Sequence, residues 1–213
     1  METPRLGALL APPPPAPPPP RKCELCRAAC APDHRHVLDL RARLPLCVCR
    51  ACALLLDRPA AGGDHYRLIP EHPRRIHDLD LDEQTWTALG LPVELAFLVR
   101  STSAGRVVAH YPGPMGVTES TLDLAAWGEL EAANPVLAAL EPDTEALLVS
   151  RVQGAAEHWL LGLDDCYRLV GLIRSCWRGR SGGDDVWSRL PGFFAELGSR
   201  GSVMDRFGAP SHL

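Results

Sequence analysis

Six of the eight cysteines fall within residues 23–52, and four of them form two CxxC pairs, Cys23-Glu24-Leu25-Cys26 and Cys49-Arg50-Ala51-Cys52, with 22 residues between the pairs. Two thiolates three positions apart can meet one ion from a tight turn whose amides point at the sulfurs, and a second such pair completes a tetrahedron. This is the donor set of a structural zinc site. Neither pair carries the proline and glycine of a rubredoxin-like knuckle, so Zn2+ is preferred to Fe, although thiolates accept either. Other donors lie nearby. Cys47 makes a CxC with Cys49, and His34 and His36, two residues apart, share one face of an expected strand. The expected metal ligands are therefore Cys23, Cys26, Cys49 and Cys52, with Cys47, His34 and His36 as alternates. Cys30 reads as a spare thiol.

The elements that must hold these sulfurs follow from the segment between the pairs. HRHVLDL and RLPLC are short enough for a β-hairpin, and the apolar Ala53 to Leu56 follows Cys52. A hairpin between a turn-borne and a helix-borne pair is treble-clef geometry, with Cys49 and Cys52 on the first turn of the helix. The alternative is a zinc ribbon, in which Ala53 to Leu56 form a strand. A module of about 35 residues buries too little apolar surface to fold alone, and a metal would supply the missing free energy.

Beyond a turn-rich link at 57–64, the pattern changes. Tyr66 to Pro70, Val93 to Arg100 and Arg106 to Tyr111 read as strands, the last two joined as a hairpin, and Ala146 to Val152 with Glu157 to Leu163 read as another. Helices are expected at 82–89, 122–133 and 165–177, with a short one after Asn134-Pro135. The helix at 165–177 has the strongest stripe: Cys166, Leu169, Val170, Ile173, Cys176 and Trp177 recur at helical spacing, which makes both cysteines core residues. A last helix at 184–197 is expected to break or kink at Pro191-Gly192. The fold class is α+β: a small treble-clef or zinc-ribbon metal module followed by a mainly antiparallel sheet with helices on one face. The domains are a proline-rich disordered tail at 1–21, a four-cysteine metal-binding module at 22–58, an α+β domain at 65–200 and a C-terminal tail at 201–213.

Charge separates the same two parts. Residues 1–75 hold 12 basic against 7 acidic side chains and residues 76–213 hold 10 against 19, within a net charge of −4. The asymmetry is too mild for a phosphate-binding face, so no nucleic-acid partner is expected. The apolar run Leu6 to Ala11 is too short and wrongly flanked for a signal peptide, and no stretch approaches the roughly 18–20 residues of a membrane span. A cytoplasmic protein with no membrane partner is expected, in a compartment where CxxC pairs mean metal or redox chemistry rather than disulfides.

No catalytic residue is assigned. Tyr111 to Ser120 (YPGPMGVTES) reads as a Pro/Gly-rich loop entering a helix, with Ser120 and Asp123 as a cap. Arg178, Arg180 and Ser181 to Gly183 could hold an anion but read as a solvated turn. Glu119, Asp164, Asp165 and Tyr167 are conceivable acid/base groups whose spacing compels nothing.

Taken together, CELC (23–26), HRHVLDL (34–40), LCVCRACALLLD (46–57), VVAHYPGPMGVTES (107–120) and DDCYRLVGLIRSCWRGRSGG (164–183) resemble an uncharacterised bacterial family, a domain of unknown function commonly encoded beside [NiFe]-hydrogenase genes. The resemblance covers residues 22–197 and carries no activity. It implies an accessory or maturation role for the hydrogenase, and with the cysteine module and the absence of assigned catalytic residues the expected protein is a non-enzymatic zinc-binding accessory factor with a hydrogenase subunit or maturation protein as partner. Two alternatives stand beside it. One is a treble-clef nucleic-acid-binding or nuclease-like protein; as a nuclease it would use His34 or His36 as base, but Ala53 to Asp57 offers no Asn or His for such a site. A rubredoxin-like electron-transfer protein would require iron.

Overall fold

The computed structural model describes residues 21–57, 63, 65–178 and 184–211. The tail at 1–20, most of the 57–64 link and residues 179–183 of the arginine- and glycine-bearing turn lie outside the described residues.

Leu-, Val- and Ala-rich runs bounded by turn residues become the centre of a seven-stranded sheet. β5 (Leu95–Ser101) and β6 (Arg106–Gly113) form one antiparallel hairpin, and β8 (Glu145–Ser150) with β9 (Glu157–Gly162) forms another. β5 pairs antiparallel with β8, which joins the hairpins. β7 (Gly116–Thr121) extends one side, β4 (Arg74–Ile76) and β10 (Ser202–Met204) the other, in the order β10-β4-β9-β8-β5-β6-β7. Among the described residues, the β10–β4 pair is the only parallel one in this sheet.

The expectation of helices on one face is corrected. All six residues of β8 are buried, so this strand needs cover on both sides. Phe97, Val99, Leu148 and Leu161 point into a core closed by α4 (Leu163–Cys176) and α5 (Asp184–Arg200). Ala96, Leu98, Leu147 and Leu160 point the other way, under α2 (Glu83–Ala88), α3 (Leu124–Ala133) and a 3-10 turn at Pro135–Ala139. Strict alternation along each strand distributes the apolar side chains between the two layers.

Several local readings change as well. The Pro/Gly segment at 111–120 is a tight β6–β7 hairpin, with Gly113 opposite Gly116 and Gly116 at φ 116°. Glycine permits that positive φ, so the chain reverses instead of running on as a loop. Ser120 therefore lies in a strand, and Asp123 alone caps α3, accepting from the N–H groups of Ala125 and Ala126. α5 runs through Pro191 as one helix, with Val186, Leu190, Phe193 and Leu197 packed into the core on both sides of the proline. The expected C-terminal tail supplies β10. The cysteine-bearing helix, by contrast, is found with Cys166, Leu169, Val170, Ile173 and Cys176 all buried.

β1 (Arg35–Asp39) and β2 (Leu44–Val48) make the hairpin expected between the cysteine pairs, and α1 (Arg50–Leu56) follows. β3 (Tyr66–Leu68), read from sequence as the start of the second domain, instead pairs with β1, giving a three-stranded sheet ordered β2-β1-β3. Leu38 and Ile69 carry this sheet into the core beneath α4. At the junction Gly162 permits a close approach of two chain segments, because a Cβ there would collide with the Pro70 carbonyl oxygen. Among the described residues, no helix is long and apolar enough to cross a membrane.

Candidate metal centre

The first cysteine pair lies on a turn closed by hydrogen bonds from Cys23 N–H to the Ala28 carbonyl (2.8 Å) and from Arg27 N–H to the Cys23 carbonyl (2.9 Å). Arg27 has φ 67°, the left-handed conformation that brings the chain back on itself. The turn is pinned to β2. Glu24 N–H donates to the Cys47 carbonyl (2.9 Å) and Cys47 N–H donates to Glu24 Oε2 (2.5 Å).

The second pair is held by α1. Cys49 is its extended N-cap residue (φ −71°, ψ 162°) and Cys52 lies in its first turn, with Ala53 N–H donating to the Cys49 carbonyl at 2.9 Å. Residues 53–56, a strand in the ribbon alternative, are helical.

The four Sγ atoms of Cys23, Cys26, Cys49 and Cys52 all lie within 4.8 Å of one another, with Cys26 and Cys49 at 3.5 Å. Zn–S bonds of about 2.3 Å in a tetrahedron place sulfurs roughly 3.8 Å apart, so the donor set fits one thiolate-bound ion. All eight cysteines are free thiols. The turn and helix positions explain the convergence, as the turn before β1 and the helix after β2 meet at the open end of the antiparallel hairpin and each aims two sulfurs at one point.

Electrostatics within the cluster favour a cation. Burial opposes ionisation of Cys23, but hydrogen bonds from the backbone of Cys26, Cys49 and Leu25 outweigh it and bring this thiol down to about 6. The Ala28 backbone favours the Cys26 thiolate, yet sharing hydrogen bonds with Cys23 and Cys49 holds that thiol above its ordinary value. Burial, followed by contacts with Cys26, Cys49 and Cys23, pushes Cys52 up. Four sulfurs this close cannot all ionise alone; a bound cation replaces their protons and removes the repulsion. With four protein donors the tetrahedron is closed, which suits a structural rather than a Lewis-acid role.

The alternate ligands do not join this cluster. His34, His36 and Cys47 form a second group whose ligand atoms lie within 4.8 Å of one another. Cys30 is buried beside the first cluster and belongs to neither group.

Of the acid/base candidates, Asp164 hydrogen-bonds His36, and buried Asp165 is paired with Arg168 and Arg200. Glu119 and Tyr167 line one cavity of about 240 Å³ between the small sheet and the main sheet, together with Arg43, Ser101 and His110. His110 is buried, and burial lowers its pKa. Sequence reasoning missed this histidine because it sits in an ordinary strand pattern, RVVAHY.

Residues 22–201 match a family of unknown function, DUF5947. The chain belongs to this family. The DUF5947 match begins one residue before Cys23 and ends one residue after α5, so it embraces both cysteine pairs and both faces of the large sheet. No curated protein and no solved structure gives a significant match to this DUF5947 chain.

Proposed function

We propose that this protein is a non-enzymatic, zinc-binding accessory factor whose treble-clef-type module presents a docking surface. The observation that carries the reading is the closed set of four sulfurs, held by a turn and a helix N-terminus at one end of a small sheet. α1, which supplies Cys52, also exposes Leu54 (66%) and Leu55 (70%) to solvent, apolar side chains of the kind partner surfaces use. Exposed Arg27, Arg41 and Arg50 surround the same elements and would steer an acidic partner. Two other arginines of the module are engaged within the chain, Arg35 with Glu71 and Arg43 with Glu119.

The resemblance to a family encoded beside [NiFe]-hydrogenase genes directs the search for that partner to hydrogenase subunits and maturation proteins. Protein purified without added metal should contain one tightly held zinc in this cluster, lost in Cys23→Ser and Cys52→Ser. Stoichiometric iron with a visible charge-transfer band would instead support electron transfer. In the native host, deleting the gene should lower hydrogenase activity more than transcript level, and tagged protein should recover a hydrogenase component at low salt. Replacing Arg27, Arg41 and Arg50 by Glu should weaken recovery with zinc content unchanged. Full hydrogen uptake in the deletion strain, with no hydrogenase component recovered, would refute the accessory role.

A further inference from the structure

We infer that His34, His36 and Cys47 form a second metal site, separate from the four-cysteine centre, that takes a late first-row divalent ion and leaves one coordination position open.

The register of the small sheet creates the site. His34, the residue just before β1, and His36 within it are two residues apart and project to the same side, and Cys47 of β2 lies directly opposite His36 in the antiparallel pair. A ring nitrogen of each histidine and the Cys47 sulfur consequently fall within 4.8 Å of one another, with the two ring centroids 5.0 Å apart.

The surroundings then settle which nitrogen each ring can offer. His34 Nδ1 lies 2.9 Å from the Ala31 carbonyl. A carbonyl only accepts, so Nδ1 carries the proton and Nε2 keeps its lone pair. That Nε2 is buried and has no hydrogen-bond partner among the described residues. His36 Nδ1 lies 2.9 Å from Asp164 Oδ2, in the first turn of α4. A carboxylate behind one ring nitrogen fixes the tautomer and directs the other nitrogen outward, the arrangement commonly found behind metal-bound histidines. The third donor, the Cys47 sulfur, has the cationic Arg21 Nη1 beside it at 3.5 Å. Metal binding would release the thiol's proton to solvent.

Two imidazoles and a thiolate select zinc-like borderline ions over magnesium or calcium. His34, His36 and Cys47 are each only partly buried, so a water or a donor from a partner can complete the tetrahedron. This contrasts with the closed four-cysteine centre. Asp164 belongs to the large domain, so occupancy of this site is coupled to the contact between the small sheet and α4.

The test is a titration of the metal-free full-length chain with Co2+ and Zn2+, read by optical spectra and by metal content after dialysis. Two equivalents should bind. The first should show the intense sulfur-to-cobalt bands of four thiolates, and the second a weaker set from one thiolate and two imidazoles. His34→Ala, His36→Ala and Cys47→Ser should each abolish the second equivalent while keeping the first spectrum, which also reports that the module is folded. Asp164→Asn should weaken the second equivalent by about 10–100-fold. A wild-type chain that saturates at one equivalent overturns the inference. Loss of the four-thiolate spectrum in His36→Ala or Cys47→Ser would also overturn it, because these residues would then belong to the first centre.

Discussion

The two sheets of this molecule solve the problem of staying folded in different ways. The seven-stranded sheet is covered on both faces by extensive apolar clusters containing Phe97, Leu98, Leu147, Leu148, Leu160 and Leu161, all essentially inaccessible to solvent. The small sheet has its own buried cluster of Cys23, Cys30, Val37, Val48, Cys49 and Ala53, half of it thiols. Each fully buried large side chain of the first kind contributes about 1.5–3 kcal/mol. In the small cluster only Val37 and Val48 are of that kind, while the thiols and one alanine supply less, so the cysteine end has far less apolar burial to hold it. Leu38 and Ile69 anchor the small sheet in the large core, while its cysteine-bearing end rests on a sulfur cluster whose geometry could hold a metal ion.

Metal removal should produce the largest separation between the two regions. Structural zinc in small modules has an apparent binding free energy of about 10–16 kcal/mol. Chelation, or Cys23→Ser, should therefore raise amide hydrogen exchange across the first turn and α1 to near-unfolded rates while β5, β8 and β9 keep their protection. Equal loss of protection in both regions would abolish the distinction between them.

Leu148→Ala should act in the opposite sense. This side chain is fully buried under α4 and α5, and its truncation should cost about 2–5 kcal/mol in denaturant unfolding. Metal content should stay unchanged, since the residue is not part of the cysteine cluster.

Gly162→Ala probes the seam between the regions. The added Cβ collides with the Pro70 carbonyl, backbone that cannot swing away as a side chain would, so a loss of about 1–3 kcal/mol is expected. The same change should loosen the His36–Asp164 contact, because Asp164 follows two residues later. Proteolytic cleavage between residues 65 and 72 should rise before any cleavage in α3 does; a variant as resistant as wild type would show that the seam carries no strain.

The smallest effect concerns pH. His158 in β9 is held at about 4 by burial, with Arg75 and Arg151 adding to the same direction. A histidine depressed in the fold is neutral in both states above its unfolded value of about 6.5, so it has no influence there. As pH falls from about 6.5 to 4 the unfolded chain takes up the proton first and stability declines. His158→Gln should flatten that limb of the stability profile, compared at matched metal occupancy. An unaltered slope would assign the acid sensitivity to other groups.

Local patterning alone was enough for the strongest features. Cys23, Cys26, Cys49 and Cys52 were recognisable because CxxC spacing constrains two sulfurs within a single turn. The stripe from Cys166 to Cys176 was recognisable because helical period and burial are both written locally. The central hairpins were legible for the same reason, each a pair of apolar runs around a short turn.

Whatever depended on residues distant in sequence became legible in the folded chain and not before. Tyr66 to Leu68 have strand character, but nothing in them says whether to pair with β1 or with the large sheet. Arg74 to Ile76 and Ser202 to Met204 are too short to register as strands until they meet at the sheet's edge. The two-sided cover of β5 and β8 required knowing that they are neighbours. His34, His36 and Cys47 looked like spare ligands for one metal until the β1–β2 register placed them together and Asp164, 128 residues from His36, came to stand behind that ring. Spacing reports what one turn or one helix can do; which side chains share a donor set across strands is set by register and by the burial that holds the sheets together.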